Sequence, residues 1–169
     1  MGSNALEHNG SGTLTIMDSK GTGGIQADDV FCAIVNKGTG SVCIKGGTIK
    51  GGDYGEAIFN RSPGTVSILG GTVCSESGIA VYNENDAGKV IVSGSPTIRG
   101  GNGAIRVGGD AADTVLEITG GTIESPGIAI NNMGSRKIAI TGGTSVIRGE
   151  YSAMNTAPEL GDAMMVTSS

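Results

Sequence analysis

Six pairs of an alanine followed by Ile, Val or Met recur along the chain at a near-constant spacing. The pairs begin at Ala33, Ala57, Ala80, Ala104, Ala129 and Ala153, at steps of 24, 23, 24, 25 and 24 residues. A fixed period of this size constrains the fold more than any single residue does. Each copy is too short to bury a core alone and must stack on its neighbours. A second anchor keeps pace: Thr48, Thr72, Thr97, Thr122 and Thr144 recur at steps of 24, 25, 25 and 22, so insertions in one turn are absorbed locally.

The copies read "VCIKGGTIKGGDYGEAIFN" from Val42, "VSILGGTVCSESGIAVYN" from Val66, "LEITGGTIESPGIAINN" from Leu116 and "IAITGGTSVIRGEYSAMN" from Ile138. Each holds two strand-like pieces and no helical stretch: apolar residues two apart before a glycine pair, then a second apolar run before an Asn-bearing corner. That excludes helical repeats. Five leucines in 169 residues exclude the leucine-rich pattern, and a period of 24 fits neither nonapeptide nor hexapeptide coils. The geometry that remains is an all-β, right-handed parallel β-helix of about six coils of ~24 residues. Coils stacked ~4.8 Å apart make a rod roughly 30 Å long.

The solenoid is expected over residues 12–156 as one domain. Residues 1–11 form an incomplete first coil, with "MGS" reading as a cloning remnant and Ala5-Leu6 already fitting the alanine anchor. The chain thus opens in mid-repeat, as an excised piece of a longer protein would. Residues 157–169 either add a last strand through Met164 and Val166 or form a cap.

Side-chain rows follow from the register. Gly46-Gly47, Gly70-Gly71, Gly120-Gly121 and Gly142-Gly143 mark corners whose backbone angles a residue with Cβ reaches only at a cost. Before them, Val42/Ile44, Val66/Ile68, Val90/Val92, Leu116/Ile118 and Ile138/Ile140 face inward. Ile49, Val73, Ile98 and Ile123 form a second apolar column; Ile34, Ile58, Val81, Ile105, Ile130 and Met154 form a third. Three residues after each alanine stand Asn36, Asn60, Asn83, Val107, Asn132 and Thr156. Stacked Asn amides satisfy one another and the backbone groups of a corner, so Asn36, Asn60, Asn83 and Asn132 are read as structural. Val107 breaks this ladder just where "RVGGDAADT" lengthens a loop, and that coil is expected to bulge. Periodicity leaves open which way the alanine row faces.

Composition narrows the partners. Eleven basic against sixteen acidic residues, net charge −5, leave no basic face for nucleic acid or anionic lipid. No apolar run reaches the ~20 residues of a membrane span. Cys32, Cys43 and Cys74 are odd in number and lie at no zinc-ligand spacing, so all three are read as free thiols.

The unit "GGT-[IV]" followed by "G-x-A-[IV]-x-N" resembles repeats of bacterial secreted and cell-surface proteins of the pectate-lyase-like β-helix superfamily, some described as carbohydrate-binding modules. The likeness covers about residues 12 to 156 and rests on glycines, corner asparagines and core aliphatics. It implies an extracellular or cell-surface location. Pectin hydrolases of this kind resemble one another in an aspartate cluster near a His, and the lyases in calcium-holding carboxylates beside a basic residue. No catalytic residue carries over, because the only histidine is His8, in the incomplete first coil.

The expected function is non-catalytic binding or display on polysaccharide or host-surface glycan, with a polysaccharide lyase or hydrolase as a third, lesser reading. The alternative is a stalk or spacer whose ends self-associate with further coils. Phe59, Tyr82 and Arg106 lie outward on consecutive coils, the first two as an aromatic platform for a sugar ring. Asp29, Asp53 and Glu76 occupy one position on three consecutive coils and form a candidate calcium site, because like charges so close repel unless a cation joins them. Asp86 and Asp110 form a weaker acidic pair. Arg99, Glu124 and Arg148 read as a salt-bridged ladder.

Overall fold

In the computed structural model the chain is a parallel β-solenoid; residues 3–109, 113–141, 145–156 and 164–167 are described. Among the described residues every strand pairing is parallel, the strands fall into three sheets, and no helix occurs. Sheet A stacks Leu6–His8, Ile34–Asn36, Ile58–Asn60, Ile79–Asn83, Gly103–Val107, Ile128–Asn132 and Ser152–Thr156. Sheet B stacks Thr13–Ile16, Ser41–Ile44, Thr65–Ile68, Lys89–Val92, Thr114–Ile118, Lys137–Thr141 and Met164–Thr167. Sheet C stacks Gly24–Gln26, Thr48–Lys50, Thr72–Ser75, Thr97–Gly100, Thr122–Ser125 and Val146–Gly149. The tail thus contributes a last strand, with Met164 opposite Ile138 and Val166 opposite Ile140. No helix among the described residues is long and apolar enough to cross a membrane.

The core is the expected set of columns. Val42 to Ile140 on sheet B, Ile49 to Ile123 on sheet C and Ile34 to Ile130 on sheet A are all buried, in direct register from coil to coil. Burying an aliphatic side chain of this size is worth ~1.5–3 kcal/mol, and each coil contributes several. Ala33, Ala57, Ala80, Ala104 and Ala129 are also fully buried, which settles their direction; Ala153, on the last coil of sheet A, is exposed.

The alanines face inward because sheet C turns into sheet A through a tight bend. A second row of small residues crosses the same bend: Ala27, Gly51, Ser75, Gly100, Ser125 and Gly149. A Cβ on Gly100 would run into Gly103 O and Ala80 N. Ser75 fits because its hydroxyl donates to Gly55 O at 2.7 Å and accepts Gly78 N at 3.0 Å. At the opposite bend, Gly47 and Gly71 sit at φ +84° and +80°, left-handed backbone that suits glycine. In the last coil Gly142, Gly143 and Thr144 lie outside the described residues, and Val146, not Thr144, stands in register with Thr122. Ile118 pairs with Ile140 and Thr122 with Val146, so the register step is 22 on one sheet and 24 on the next, and Thr144 keeps the first step only.

The asparagine ladder is present and runs in a defined direction. Asn36 Nδ2 donates to Asn60 Oδ1 at 2.8 Å, and Asn60 Nδ2 donates to Asn83 Oδ1 at 2.6 Å, all three fully buried. The same amides close the corner by bonding carbonyls four or five residues on, as in Asn36 to Gly40 O at 2.9 Å and Asn132 to Arg136 O at 2.8 Å. His8 holds this position on the first coil, its Nε2 2.9 Å from Gly12 O, so it serves as a corner residue. It offers Asn36 Oδ1 no donor, and that atom is left without a partner.

Val107 interrupts the ladder, and the register of the next sheet B strand shifts between Thr114 and Leu116, the expected bulge. The coil beyond repairs the gap with a residue that patterning did not single out. Arg136 takes the corner position that Gly40, Gly64 and Gly88 hold elsewhere. A Cβ on Gly88 would lie 2.6 Å from Asn83 Oδ1, inside the ladder. Beside Val107 that space holds no amide. Arg136, only 2% exposed, reaches back two coils so that Nη1 donates to Asn85 O at 3.1 Å, a carbonyl that also accepts Asn83 Nδ2.

Two outcomes follow for stability. Asn60→Ala leaves Asn83 Oδ1 and two corner carbonyls without their donor, and a urea midpoint is expected to report a loss of about 2–4 kcal/mol, against about 0.5 or less for the exposed Asn155→Ala. Arg136→Gly and Val107→Asn are each expected to destabilise, the second by placing an amide in the guanidinium's space. The double variant should recover much of both losses by completing the ladder; additive losses would contradict this account of the corner.

Candidate binding surfaces

The outer face of sheet A carries one column of side chains: Glu7, Val35, Phe59, Tyr82, Arg106, Asn131 and Asn155. Strand alternation puts them there, since the residues on either side point into the core and the ladder. Phe59 and Tyr82 stack with centroids 5.2 Å apart and planes 13° from parallel. Two rings side by side in one plane need more room than that, so the faces turn toward each other and not toward solvent. The guanidinium of Arg106 lies over Tyr82, 5.7 Å from its centroid, and that of Arg61 lies 5.6 Å from the Phe59 centroid. The expected flat platform is therefore replaced by a pile. Tyr82 is held between Phe59 and Arg106, and the column offers a ligand ring edges and polar termini.

Several charges on these surfaces are paired between coils, while Lys45, Lys137 and Arg148, like Arg106, have no carboxylate partner among the described residues. Lys37–Glu7 at 2.7 Å, Arg61–Glu84 at 2.9 Å, Lys89–Glu117 at 2.5 Å and Arg99–Glu124 at 3.7 Å join neighbouring coils. Each is partly exposed and worth about 0–1 kcal/mol. The Arg99, Glu124 and Arg148 column is in register as expected. Arg106 differs from the paired cations. No carboxylate among the described residues pairs with it, and its Nε, sealed from solvent, has no hydrogen-bond partner.

Backbone bonds from Tyr54 N to Asp29 O and from Ser77 N to Asp53 O place Asp29, Asp53 and Glu76 on consecutive coils. Their carboxylates do not converge. Among the described residues no three His, Cys, Asp or Glu side chains lie together as a metal-holding group. Glu76 turns instead to Lys50 Nζ at 2.5 Å, and that hydrogen bond and charge hold its carboxyl below the usual range. Asp29 occupies a turn at φ +55°. Lys50, from the adjacent row, thus supplies a positive charge to Glu76, while Asp29 and Asp53 form no ion pair among the described residues. Asp86 is exposed, and Asp110 lies outside the described residues.

A groove at the sheet C edge went unread in the sequence. Two adjoining depressions of 430 and 240 Å³ share Arg99 and Pro126. The first is lined by Lys50, Cys74 and Glu76, the second by Glu124, Arg148 and Glu150. The charged column was legible; the hollow was not, because it forms where the small-residue row draws the outer loops inward. Cations and carboxylates alternate along it, so it carries no net preference for one sign.

All three thiols are free. Cys32 is buried, with Sγ 3.2 Å from Glu56 Oε2; burial foremost, then the bond and charge of that carboxylate, push it up to about 12. Burial also raises Cys74.

Compared with protein-family profiles, curated proteins and solved structures, the chain matches none. The three stacked parallel sheets establish the β-solenoid, and the likeness to pectate-lyase-like repeats rests on the repeat motif alone.

The folded chain keeps the Cys32 proton that the unfolded chain releases above an ordinary value of 9.0. The stability this thiol contributes is therefore fully present below that value and is lost as pH rises from about 9 toward 12. Cys32→Ala is expected to flatten the alkaline limb of a plot of urea midpoint against pH. An unchanged slope would contradict the assignment.

Proposed function

We propose that this solenoid is a non-catalytic module that binds extracellular polysaccharide, within a larger bacterial surface protein, with the glycan chain lying along the outer face of sheet A. The observation that supports this reading is the column Tyr82, Arg106, Asn131 and Asn155, one hydrogen-bonding side chain on each of four consecutive coils. A linear polysaccharide presents hydroxyls at intervals comparable with the ~4.8 Å coil spacing, so a straight column meets successive sugar units with the same kinds of contact. Planar polar groups beside aromatic edges supply the orientation that a sugar needs. The sole histidine, His8, is engaged at its corner by Gly12 O, which suits a module that binds without turnover.

A stalk reading draws on a different observation. The Phe59–Tyr82 stack and the asparagine ladder bind the chain only to itself, and a spacer needs nothing more. Glycan-array binding separates the two. The binding reading expects a retained polysaccharide whose affinity falls at least tenfold in Asn131→Ala, an outward residue whose loss leaves the core untouched. No retention of any glycan would favour the stalk.

A further inference from the structure

We infer that Arg106 is a receptor for an oxyanion, a carboxylate or sulfate group carried by the glycan along sheet A. This deepens the binding proposal and rests on it for the identity of the carrier. Five neighbouring cations, Lys37, Lys50, Arg61, Lys89 and Arg99, each have a resident carboxylate within 3.7 Å. Arg106 has none among the described residues, although its guanidinium is always charged. Its backbone is held in register between Tyr82 and Asn131, and the Phe59–Tyr82 pile lies on one side of the guanidinium, leaving the other side to a ligand.

The donors at this point are also unspent. Nε of Arg106 lacks an acceptor, and a guanidinium presents Nε and a terminal nitrogen as a fork that matches two oxygens of a carboxylate or sulfate. One coil on, Asn131 accepts Asn155 Nδ2 on its Oδ1 at 3.4 Å, which leaves its own Nδ2 as a further donor. From Tyr82 to Asn155 the column holds no carboxylate to repel an anion. An oxyanion drawing the guanidinium slightly outward from the ring would use a donor that the free chain leaves idle and supply the missing counter-charge.

The test uses the full chain and two kinds of probe. In a titration with sodium sulfate at constant ionic strength, arginine side-chain Nε–H resonances are followed by NMR, Arg106 being identified by its disappearance in Arg106→Gln. A saturable shift of Arg106, accompanied by the Asn131 side-chain amide, is expected. Equal drift of all arginines would overturn the site. Uronic, sulfated and neutral oligosaccharides of matched length are then compared by calorimetry. The anionic ligand that binds names the group, and its affinity should fall at least tenfold in Arg106→Gln and less in Arg106→Lys. Neutral oligosaccharide bound equally by wild type and Arg106→Gln would overturn the oxyanion receptor and leave the glycan reading standing. A sulfate shift at Arg106 without binding of any oligosaccharide would sustain the receptor and remove the glycan reading.

Discussion

A parallel coil repeats its backbone hydrogen bonds only if each winding lies directly over the last, and the corners are where that demand is hardest to meet. There the sheet ends and carbonyls lose their partners. The buried amides of Asn36, Asn60 and Asn83 answer both needs, each bonding the next winding through one group and its own corner through the other. Polar groups so deeply buried are costly unless satisfied, so a winding out of register would lose more than one bond. Core columns, outer columns and grooves all inherit their alignment from this constraint. The two departures from it, His8 at the first coil and Val107 in the middle, are where compensating arrangements occur.

Much of this was legible because the period is nearly constant. Counting from the alanines placed Asn36, Asn60, Asn83, Val107, Asn132 and Thr156 in one row, and the observed register agrees residue by residue. The same count put Phe59, Tyr82 and Arg106 together on the outside. Counting failed where a corner changes length, as between Thr122 and Val146. It also says which residues share a row, not how a side chain turns within it. The rings of Phe59 and Tyr82 rotate to stack on each other, and Glu76 leaves its acidic row for Lys50. Row direction was hidden at the alanines because two inward positions fall side by side at a bend, which strand alternation does not anticipate. The row of Ala27, Gly51, Ser75, Gly100, Ser125 and Gly149 was hidden because its members share size and not chemistry. Arg136 stands in no periodic row, and its burial depends on the gap beside Val107.

The outer surfaces divide by how completely they are used. On sheets B and C several charges meet a partner on an adjacent coil, and such a surface keeps a solenoid soluble without recognising much. The sheet A column is different in kind. Its upper half, from Glu7 to Phe59, is paired or packed, with Val35 only 2% exposed. Its lower half ends in a guanidinium without a counter-ion and two amides on successive windings. The unspent donors of that lower half repeat with the regular lattice of coils.

The central claim, direct stacking of equivalent corners, is open to one decisive measurement. Side-chain amide protons of Asn36, Asn60 and Asn83 should show nuclear Overhauser contacts in sequence, 36 to 60 and 60 to 83, with slow solvent exchange. Contacts of these amides with unrelated segments, or rapid exchange of all three, would contradict the solenoid register and every row derived from it.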